Sequence, residues 1–328
     1  MKKVFILHDR LTQESNDDAV DVLAQVEVIS QTLVSLGYEY SVMPVSFNLD
    51  SLREMLQSNP CDFVFNLVET LEGHGRLIHL CPAMLDALGI EYTGSKTEAI
   101  FLTTSKVLTK KLLQSCGIKT PDWFTLKSLQ YTNIVHPGLY IIKPVWEDGS
   151  VGLDEDSVLM IKSKEHLVET IHQYQNKLNQ ECFAEAYIDG REFNIALLSG
   201  GKEGVEVLHP AEIKFVEYPE DKIKVVGYKA KWHAQSFEYQ HTPRFFDFSD
   251  KDQPLLSQLK EMAKKCWHLF ELKGYARVDF RVDTKGIPWI LEVNVNPCLS
   301  PDAGFYAAAE RSGLSFKEVI DRIIRDIH

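Results

Sequence analysis

The sequence lacks the features by which membrane proteins and nucleic-acid-binding proteins are recognised. No stretch approaches the roughly 20 apolar residues of a membrane helix, and Lys2-Lys3 precedes only a short strand-like run instead of a secretory signal. Only 35 Lys and Arg residues oppose 47 Asp and Glu residues, which gives a net charge of −12 and argues against a surface for nucleic acid or anionic lipid. We therefore expect neither a nucleic-acid partner nor a membrane partner.

Paired cysteines are also absent. The six cysteines have neither CxxC spacing nor histidine partners, and they stand at positions 61, 81, 116, 182, 266 and 298. This pattern predicts reduced thiols in a cytoplasmic protein. Internal repeats and low-complexity tracts are missing as well, and a chain of 328 residues is expected to bury a large core in two or three domains.

The first 95 residues alternate between strand and helix patterns. Six elements follow one another, at 2–7, 20–36, 38–45, 49–57, 62–68 and 77–88. This alternation predicts an open, mostly parallel βαβ sheet. Ligands bind beyond the carboxyl ends of such strands, so the loops at 8–18 and 66–75 are expected at the mouth of a site.

From Lys96 a second region begins, in which short strands dominate. A helix pattern covers 97–116, and the polar, basic residues 222–233 predict a long loop. The other predicted elements are strands at 123–126, 140–144, 158–161, 182–187, 193–199 and 205–209, and helices at 167–178, 254–272, 302–312 and 316–327.

Residues 276–297 predict a β-hairpin with polar groups on one face. Its first strand carries Arg277 and Asp279 between apolar residues, and its second strand carries Glu292 and Asn294. If the two polar faces coincide, Asp279, Glu292 and Asn294 form an oxygen cluster that suits Mg²⁺ carrying phosphates. The alternative is an ordinary solvated hairpin face.

A strand that delivers Lys143 leads into the glycine-containing loop Gly149-Ser150-Val151-Gly152. The glycines let backbone N–H groups approach phosphate oxygens, and Lys143 supplies a positive charge. The sequence therefore indicates a phosphate-binding loop here, with an ordinary turn as the alternative.

Two carboxylates, Glu185 and Glu192, bracket an apolar segment and a turn. Backbone groups of the intervening Ala186, Tyr187 and Ile188 can read an adenine edge while an acid binds the ribose hydroxyls. The segment is thus a candidate for adenosine recognition, and a solvated hairpin is the alternative.

Taken in order, these motifs resemble the ATP-grasp ligases, and within them the D-alanine–D-alanine ligase group. Arg-Val-Asp at 277–279, followed by Glu-Val-Asn-Val-Asn-Pro at 292–297, is similar to the closing motif of that family. Tyr92-Thr-Gly-Ser matches the ligase group at the domain junction. The resemblance covers nearly the whole chain, from the first strand to the final helix.

The resemblance implies an ATP-grasp fold, α/β in class and α+β overall. It implies an N-terminal βαβ domain (1–95), a small central domain (96–187) and a C-terminal domain (188–328), which together clasp ATP. It also implies small-molecule substrates, ATP and Mg²⁺ as cofactors with Mn²⁺ as a substitute metal, and a homodimer.

The mechanism implied by the resemblance passes through an acyl phosphate. One substrate's carboxylate attacks the γ-phosphate of ATP, and an amine then attacks the acyl phosphate to give an amide, ADP and phosphate. Lys106, Lys143 and Lys231 fall where the family keeps phosphate lysines, and Lys231 lies on a mobile loop that closes over ATP. For Lys106 the alternative is an exposed helical lysine.

Three more roles follow from the resemblance. Arg277 falls at the position where members of the family have an arginine that stabilises the oxyanion of the tetrahedral intermediate. Glu192 falls at the position where they have an acid that binds the ribose. Asp18 falls where the family holds the first substrate's amino group, and a helix N-cap is an equal alternative for this residue.

The sequence departs from the family where amino acids are expected to bind. Trp232 replaces a tyrosine of the mobile loop, and Cys298 replaces a glycine after the Asn-Pro pair. Ala303-Gly304 replaces a Ser-Leu pair that binds the second substrate's carboxylate, and alanine cannot donate that hydrogen bond. The nucleotide and metal positions therefore match the family, whereas the amino-acid positions do not.

Two alternatives stay open at this point. One is a ligase for a different amino acid or amine, larger or cationic, which Asp302 and either Glu69 or Glu72 would suit. The other is a nucleotide-binding regulator or scaffold without turnover. The complete set of metal-binding oxygens and phosphate lysines counts against this second alternative.

Overall fold

The computed structural model describes residues 2–11, 17–132, 134–147, 152–201 and 203–327, and of residues 17–20 only the backbone. Three β-sheets follow one another along the chain, each with its own helices. Short 3₁₀ turns lie at Gly75–Leu77, Glu155–Ser157 and Asp250–Asp252. No helix within the described ranges is long and apolar enough to cross a membrane.

The N-terminal unit is a three-stranded sheet between two layers of helices. Its elements are β1 (Lys3–Asp9), α1 (Asp17–Ser35), β2 (Glu39–Val45), α2 (Leu49–Ser58), β3 (Phe63–Leu67) and α3 (Leu80–Leu88). The strands are parallel, in the order β2-β1-β3. Because side chains alternate between the faces of a strand, Val4 and Ile6 pack on the side of α1, and Leu7 packs on the side of α2 and α3. The prediction of a parallel βαβ sheet is confirmed.

The central unit is a four-stranded antiparallel sheet. Its elements are α4 (Thr97–Thr104), α5 (Lys106–Ser115), β4 (Trp123–Phe124), α6 (Leu126–Leu129), β5 (Gly138–Pro144), β6 (Val158–Ile161), α7 (Lys164–Leu178) and β7 (Cys182–Ala186). The strand order is β4-β7-β5-β6. Helix α7 packs against this sheet through Leu167 and Ile171.

The prediction of one helix over 97–116 is wrong. Ser105 has an extended backbone between α4 and α5, and its hydroxyl accepts a hydrogen bond from the N–H of Leu108 at 3.3 Å. Because serine is a preferred N-cap residue, a new helix begins at Lys106. The N–H of Lys106 donates to the carbonyl of Val145 at 3.0 Å, which holds this helix start beside the end of β5.

The C-terminal unit has a larger antiparallel sheet. Its elements are β8 (Gly190–Ser199), β9 (Val205–Val207), β10 (Ala211–Ile213), α8 (Tyr228–Trp232), α9 (Phe237–Gln240), β11 (Arg244–Phe245), α10 (Gln253–Leu269), β12 (Tyr275–Asp283), β13 (Pro288–Asn294), α11 (Gly304–Arg311) and α12 (Phe316–Arg325). Five strands are ordered β11-β10-β8-β12-β13, and β9 pairs with β8. Helix α10 covers one face. Helices α11 and α12 cover the other face together with α1, so the first and third sheets share one core.

The basic segment 222–233, predicted as a loop, contains helix α8 and lies closed against the central unit. The first N–H of α8 donates to the carbonyl of Leu153 at 2.8 Å. A Cβ on Gly227 would stand 2.6 Å from that oxygen, so the close approach requires glycine. Lys222 also forms an ion pair with Glu155. The segment therefore forms one wall of the space between the sheets.

Candidate active site

A cavity of about 750 Å³ opens between the three sheets. Its walls come from the carboxyl end of the N-terminal sheet, from β5, β7 and β8, from the closed segment, and from the β12–β13 hairpin and the chain that follows it. Many of the residues singled out in the sequence line this cavity: Lys143, Glu185, Tyr187, Ile188, Glu192, Lys231, Arg277, Asp279, Glu292 and Asn294. Motifs that are far apart in the sequence thus meet in one place.

The polar faces of the hairpin coincide. In the register of β12 and β13, Asp279 pairs with Glu292, and Arg277 pairs with Asn294. Arg277 donates two hydrogen bonds to the Asp279 carboxylate, at 2.7 and 2.8 Å, and Asn194 donates a third at 2.7 Å. The solvated-face alternative is therefore wrong, because this face lines the cavity.

The oxygens of this face are of the type that binds a hard divalent cation, although both oxygens of Asp279 already accept hydrogen bonds from Arg277. Carboxylate and amide oxygens are the ligands that Mg²⁺ prefers in proteins. Within the described ranges, no group of three or more His, Cys, Asp and Glu residues could hold a metal ion. A metal at the hairpin would therefore need the amide oxygen of Asn294 beside the carboxylates of Asp279 and Glu292.

Glu292 lies in a strongly positive environment. Burial by itself would raise the pKa of its carboxyl, but Lys106, Lys231 and Arg277 outweigh burial and hold that pKa well below its usual range. The Nζ of Lys106 is 3.5 Å from the carboxylate. The carboxylate of Glu292 is thus charged near neutral pH.

Lys106 and Lys231 both occupy enclosed positions. Lys106 is only 4% exposed, and its Nζ donates to the carbonyl of Glu147 at 2.5 Å, so the exposed-lysine alternative is wrong. Lys231 is half-buried on α8. Burial and the neighbouring Arg277 lower the pKa of Lys231, which leaves a partly desolvated ammonium group facing the cavity.

Lys143 belongs to a buried cluster that the sequence did not reveal. Its Nζ is 2.6 Å from Oε1 of Glu185, and the other carboxylate oxygen of Glu185 pairs with Lys110. Lys110 is completely buried and donates to Thr120 at 2.7 Å. One carboxylate therefore lies between two lysines, and only one of these lysines faces the cavity.

The adenosine segment needs a correction. The N–H of Ala186 donates to the carbonyl of Asp122 at 2.8 Å, and the N–H of Tyr187 donates to the carbonyl of Leu139 at 2.9 Å. These two groups cannot also donate to an adenine, because the sheet already uses them. Ala186 is also absent from the cavity wall, whereas Ile188 lines it.

Glu192 also lines the cavity. Its Oε2 is 2.8 Å from Nη2 of Arg281, and burial raises the pKa of its carboxyl although Arg281 opposes that shift. The role of Glu192 towards a ribose stays a prediction. The solvated-hairpin alternative is wrong because the residue is buried.

Part of the predicted site lies outside the described residues. Gly149, Ser150 and Val151 belong to this part, and so does the side chain of Asp18. Gly152 is described, and a Cβ there would stand 3.1 Å from the side chain of Leu178. It therefore packs against α7 and does not line the cavity.

One group of residues on the cavity wall, here called the acidic end, consists of Asp21, Glu69 and Asp302. The thiol of Cys298 donates to Asp21 at 2.8 Å, and Ser300 donates to the carboxylate of Asp302 at 2.9 Å. Glu69 also lines this end and accepts a hydrogen bond from Gln25 at 3.1 Å. Acidic groups of this kind suit the ammonium group of an amino acid.

Two wall residues here were missed in the sequence, and one predicted residue is misplaced. Asp21 lies one helical turn after Asp18, so helical spacing could have revealed it. Arg244 carried no signal, since it is a single charge between Pro243 and the phenylalanines 245 and 246, with no motif spacing. Glu72 is absent from the cavity wall, and its carboxylate accepts a hydrogen bond from the N–H of Phe47 at 3.3 Å. The prediction of Glu72 as a substrate acid is therefore wrong.

Known proteins share this architecture. A family model described as "D-ala D-ala ligase C-terminus" matches residues 112–325. The chain is 31% identical over 265 residues to an uncharacterised protein of Sinorhizobium fredii, and the aligned region covers 81% of this chain and 74% of that protein. It is 30% identical over 302 residues to a D-alanine–D-alanine ligase of Aquifex aeolicus, and the aligned region covers 91% of this chain and 92% of that ligase.

A solved structure gives the same result for the fold. The D-alanine–D-alanine ligase of Bacillus anthracis, complexed with ATP, matches with a TM-score of 0.73 at 20% identity, covering 100% of this chain and 97% of that one. The chain therefore belongs to the D-alanine–D-alanine ligase family of ATP-dependent, ATP-grasp enzymes.

Proposed function

We propose that this member of the ligase family joins the carboxylate of one amino acid to the amine of a second substrate, through an acyl phosphate formed from ATP. The observation that carries the proposal is the cavity itself. It brings Lys143, Lys231 and Arg277 together with the oxygens of Asp279, Glu292 and Asn294 and with an acidic end that suits an amino group. Lys106 does not line the cavity wall, but its Nζ is 3.5 Å from the carboxylate of Glu292, which does. We further propose the three-domain division at residues 95 and 187, because the three sheets fall within 3–67, 123–186 and 190–294.

Lysines and oxygens divide the work at the nucleotide. We assign Lys106, Lys143 and Lys231 to the phosphates, since positioned cations stabilise the charge of a transferring phosphoryl group. We assign Asp279, Glu292 and Asn294 to Mg²⁺, or Mn²⁺ in its place. When bound, this metal would neutralise phosphate charge.

Arg277 lines the same cavity as the oxygens of Asp279, Glu292 and Asn294 and the acidic end. Its two hydrogen bonds to Asp279 hold the guanidinium in one orientation. We assign it to the oxyanion that forms when the amine attacks the acyl phosphate, because a prepositioned cation stabilises charge without reorganising.

The acidic end suits the amino group of the first substrate. We assign this role to Asp21 and Glu69, whose side chains are held by Cys298 and Gln25. An ammonium group here would place the neighbouring carboxylate towards Arg277 and the phosphates, since all of these groups share one cavity. Asp18 remains a prediction for the same role.

The test is ADP release from Mg·ATP with a panel of single and paired amino acids of both configurations. We expect release that depends on particular amino acids, with an equimolar dipeptide or amide detected by mass spectrometry. Glu292→Gln serves as the inactive control, with its ADP binding checked separately. Binding of ATP without release for any pair would refute the ligase and favour a nucleotide-binding protein without turnover.

A further inference from the structure

The loss of the Ser-Leu pair at 303–304 coincides with an arginine at the same place in space. Arg244, in β11, donates from Nη1 to the carbonyl of Asp302 at 2.8 Å. A Cβ on Gly304 would stand 3.1 Å from Nε and 3.5 Å from Cζ of this arginine. The guanidinium therefore lies directly against the start of α11, where the sequence has its two smallest side chains.

Arg244 contributes a positive charge to the cavity wall. Its strand pairs with β10, Arg244 opposite Ile213, and this pairing anchors the backbone. Enclosure in the cavity and the nearby Arg277 lower the pKa of the guanidinium, while Asp302 opposes that shift. An arginine nevertheless stays charged at every physiological pH.

An arginine in this position offers what Ala303 cannot. A guanidinium carries five N–H donors in a planar fork that matches a carboxylate. The start of α11, an eight-residue helix, adds its own partial positive charge at the same point. The guanidinium and the helix start together favour a carboxylate at this point, against the opposing charge of Asp302 on the same wall.

We infer that Arg244 binds the carboxylate of the amine substrate, and that this substrate is an amino acid or peptide with a free carboxylate. The inference rests on the proposed ligase function. The carboxylate that reacts must reach the phosphates near Arg277, whereas the carboxylate of the attacking amino acid persists in the product. The second carboxylate therefore needs a separate cationic partner, and Arg244 supplies it beside Asp302 and Gly304.

The experiment compares Arg244→Met with the wild-type protein on amines that have or lack the carboxylate. The probes are D-alanine, L-alanine, glycine and D-serine, and the carboxamide of each, with Mg·ATP in excess. Arg311→Met is the matched control, because it also removes one arginine charge, from the end of α11, where Arg311 pairs with the exposed Asp247 and lies over the ring of Phe246. The readouts are the KM of the amine, the KM of ATP and the affinity for ADP.

We expect Arg244→Met to raise the KM of the carboxylate-bearing amine about 50-fold and to leave the KM of the carboxamide, the KM of ATP and ADP affinity unchanged. Arg311→Met should match the wild type. A second variant separates specific contact from general damage. Gly304→Ala should raise the same KM several-fold by displacing the guanidinium, yet have no further effect in the Arg244→Met background.

The outcomes distinguish the inference from the proposed function. If the wild type releases ADP with an amino acid and Arg244→Met retains its KM, the inference is overturned and the ligase stands. An equal KM for acid and carboxamide in the wild type overturns it as well, and so does a preference for cationic amines. If no amine supports release, the ligase is refuted, and saturation-transfer NMR of D-alanine on the ADP-bound protein tests the carboxylate site by itself. Binding that Arg244→Met abolishes supports that site, whereas binding that it leaves unchanged, or no binding to the wild type, overturns the inference as well.

Discussion

Replacing Lys110 by methionine tests how the buried cluster sets the charge that ATP encounters. In the wild type, Glu185 is shared by Lys110 and Lys143, so the three groups together carry one positive charge. Without Lys110, the charge of Glu185 is matched by Lys143 alone. The phosphates would then meet a neutral pair, although the cavity-facing lysine itself is unchanged.

The size of the effect follows from the geometry. Lys110 contacts one oxygen of Glu185 and Lys143 contacts the other. Adding ordinary contact distances along this chain puts Lys110 roughly 8 Å from a phosphate bound by Lys143. A unit charge at that distance, with an effective dielectric constant of about 20, is worth about 2 kcal/mol. This corresponds to a loss of about 30-fold in nucleotide affinity. Unfolding should also become easier by about 2 kcal/mol, which is less than for an orphaned buried charge because Glu185 keeps one partner.

Calorimetric titration of ADP measures the first effect, and chemical denaturation measures the second. Glu185→Gln combined with Lys110→Met restores a net charge of one and should recover most of the lost affinity. Lys111→Met is the control, because that neighbouring lysine is exposed. If Lys110→Met binds ADP as tightly as the wild type while losing stability, Lys110 only packs and the charge argument is refuted.

The same lysine gives a pH dependence of defined sign. Burial lowers the pKa of Lys110 from 10.5 to about 8, against the opposing effect of Glu185. Nucleotide affinity should therefore fall as the pH rises through 8, and Lys110→Met should lack this step. Stability moves the other way: between about 8 and 10.5 the unfolded chain binds more protons at this lysine than the folded one, so its contribution to stability rises with pH.

Three further changes test other parts of the molecule. Glu292→Gln removes a charged oxygen proposed to bind the metal, so kcat should fall about 100- to 1000-fold. ADP binding measured in EDTA should stay the same. An unchanged kcat would exclude Glu292 as a metal ligand. Lys222→Met removes the ion pairs to Glu155 and Glu238 that hold segment 222–233 against the central unit. The KM of ATP in steady-state assays should therefore rise about fivefold. An unchanged KM would show that the position of this segment does not depend on the two ion pairs. Ser315→Ala removes the capping box of α12 and should lower the free energy of unfolding in urea by about 1 kcal/mol with ADP release unaffected; a loss of activity would contradict the placement of this cap outside the cavity.

The hairpin of Arg277 and Glu292 could be predicted because its signals are local. A period of two decides which side chains share a face of each strand, and the antiparallel register then places Asp279 opposite Glu292. The βαβ alternation of the N-terminal unit is local in the same sense. The start of α5 could not be predicted, because a serine within a helical pattern does not by itself end one helix and begin another. The choice depends on the carbonyl of Val145, which is distant in sequence.

Adjacent lysines show why the buried cluster escaped sequence analysis. Lys110 and Lys111 are consecutive in an amphipathic helix, yet Lys110 is fully buried and Lys111 is exposed. A lysine at the edge of an apolar stripe is ordinarily solvated, since its stem can pack while its charge reaches water. Only the approach of Glu185 from β7 makes burial of this charge tolerable. No spacing within α5 contains that information.

The second-substrate site depends even more strongly on tertiary contact. In the sequence, Ala303-Gly304 reads as the loss of a donor, and Arg244 reads as a charge in a polar stretch. In the fold, β11 brings Arg244 against the start of α11, and the space for its guanidinium exists because Gly304 has no side chain. The two features therefore form one carboxylate-binding element with two parts, each uninformative alone. It follows that Ala303→Ser in the presence of Arg244 should lower the KM of the amine only slightly. In the Arg244→Met background, the same Ala303→Ser change should recover part of the lost affinity for the amine. The KM of the amine, measured for the single Ala303→Ser variant and for the double variant, tests this difference.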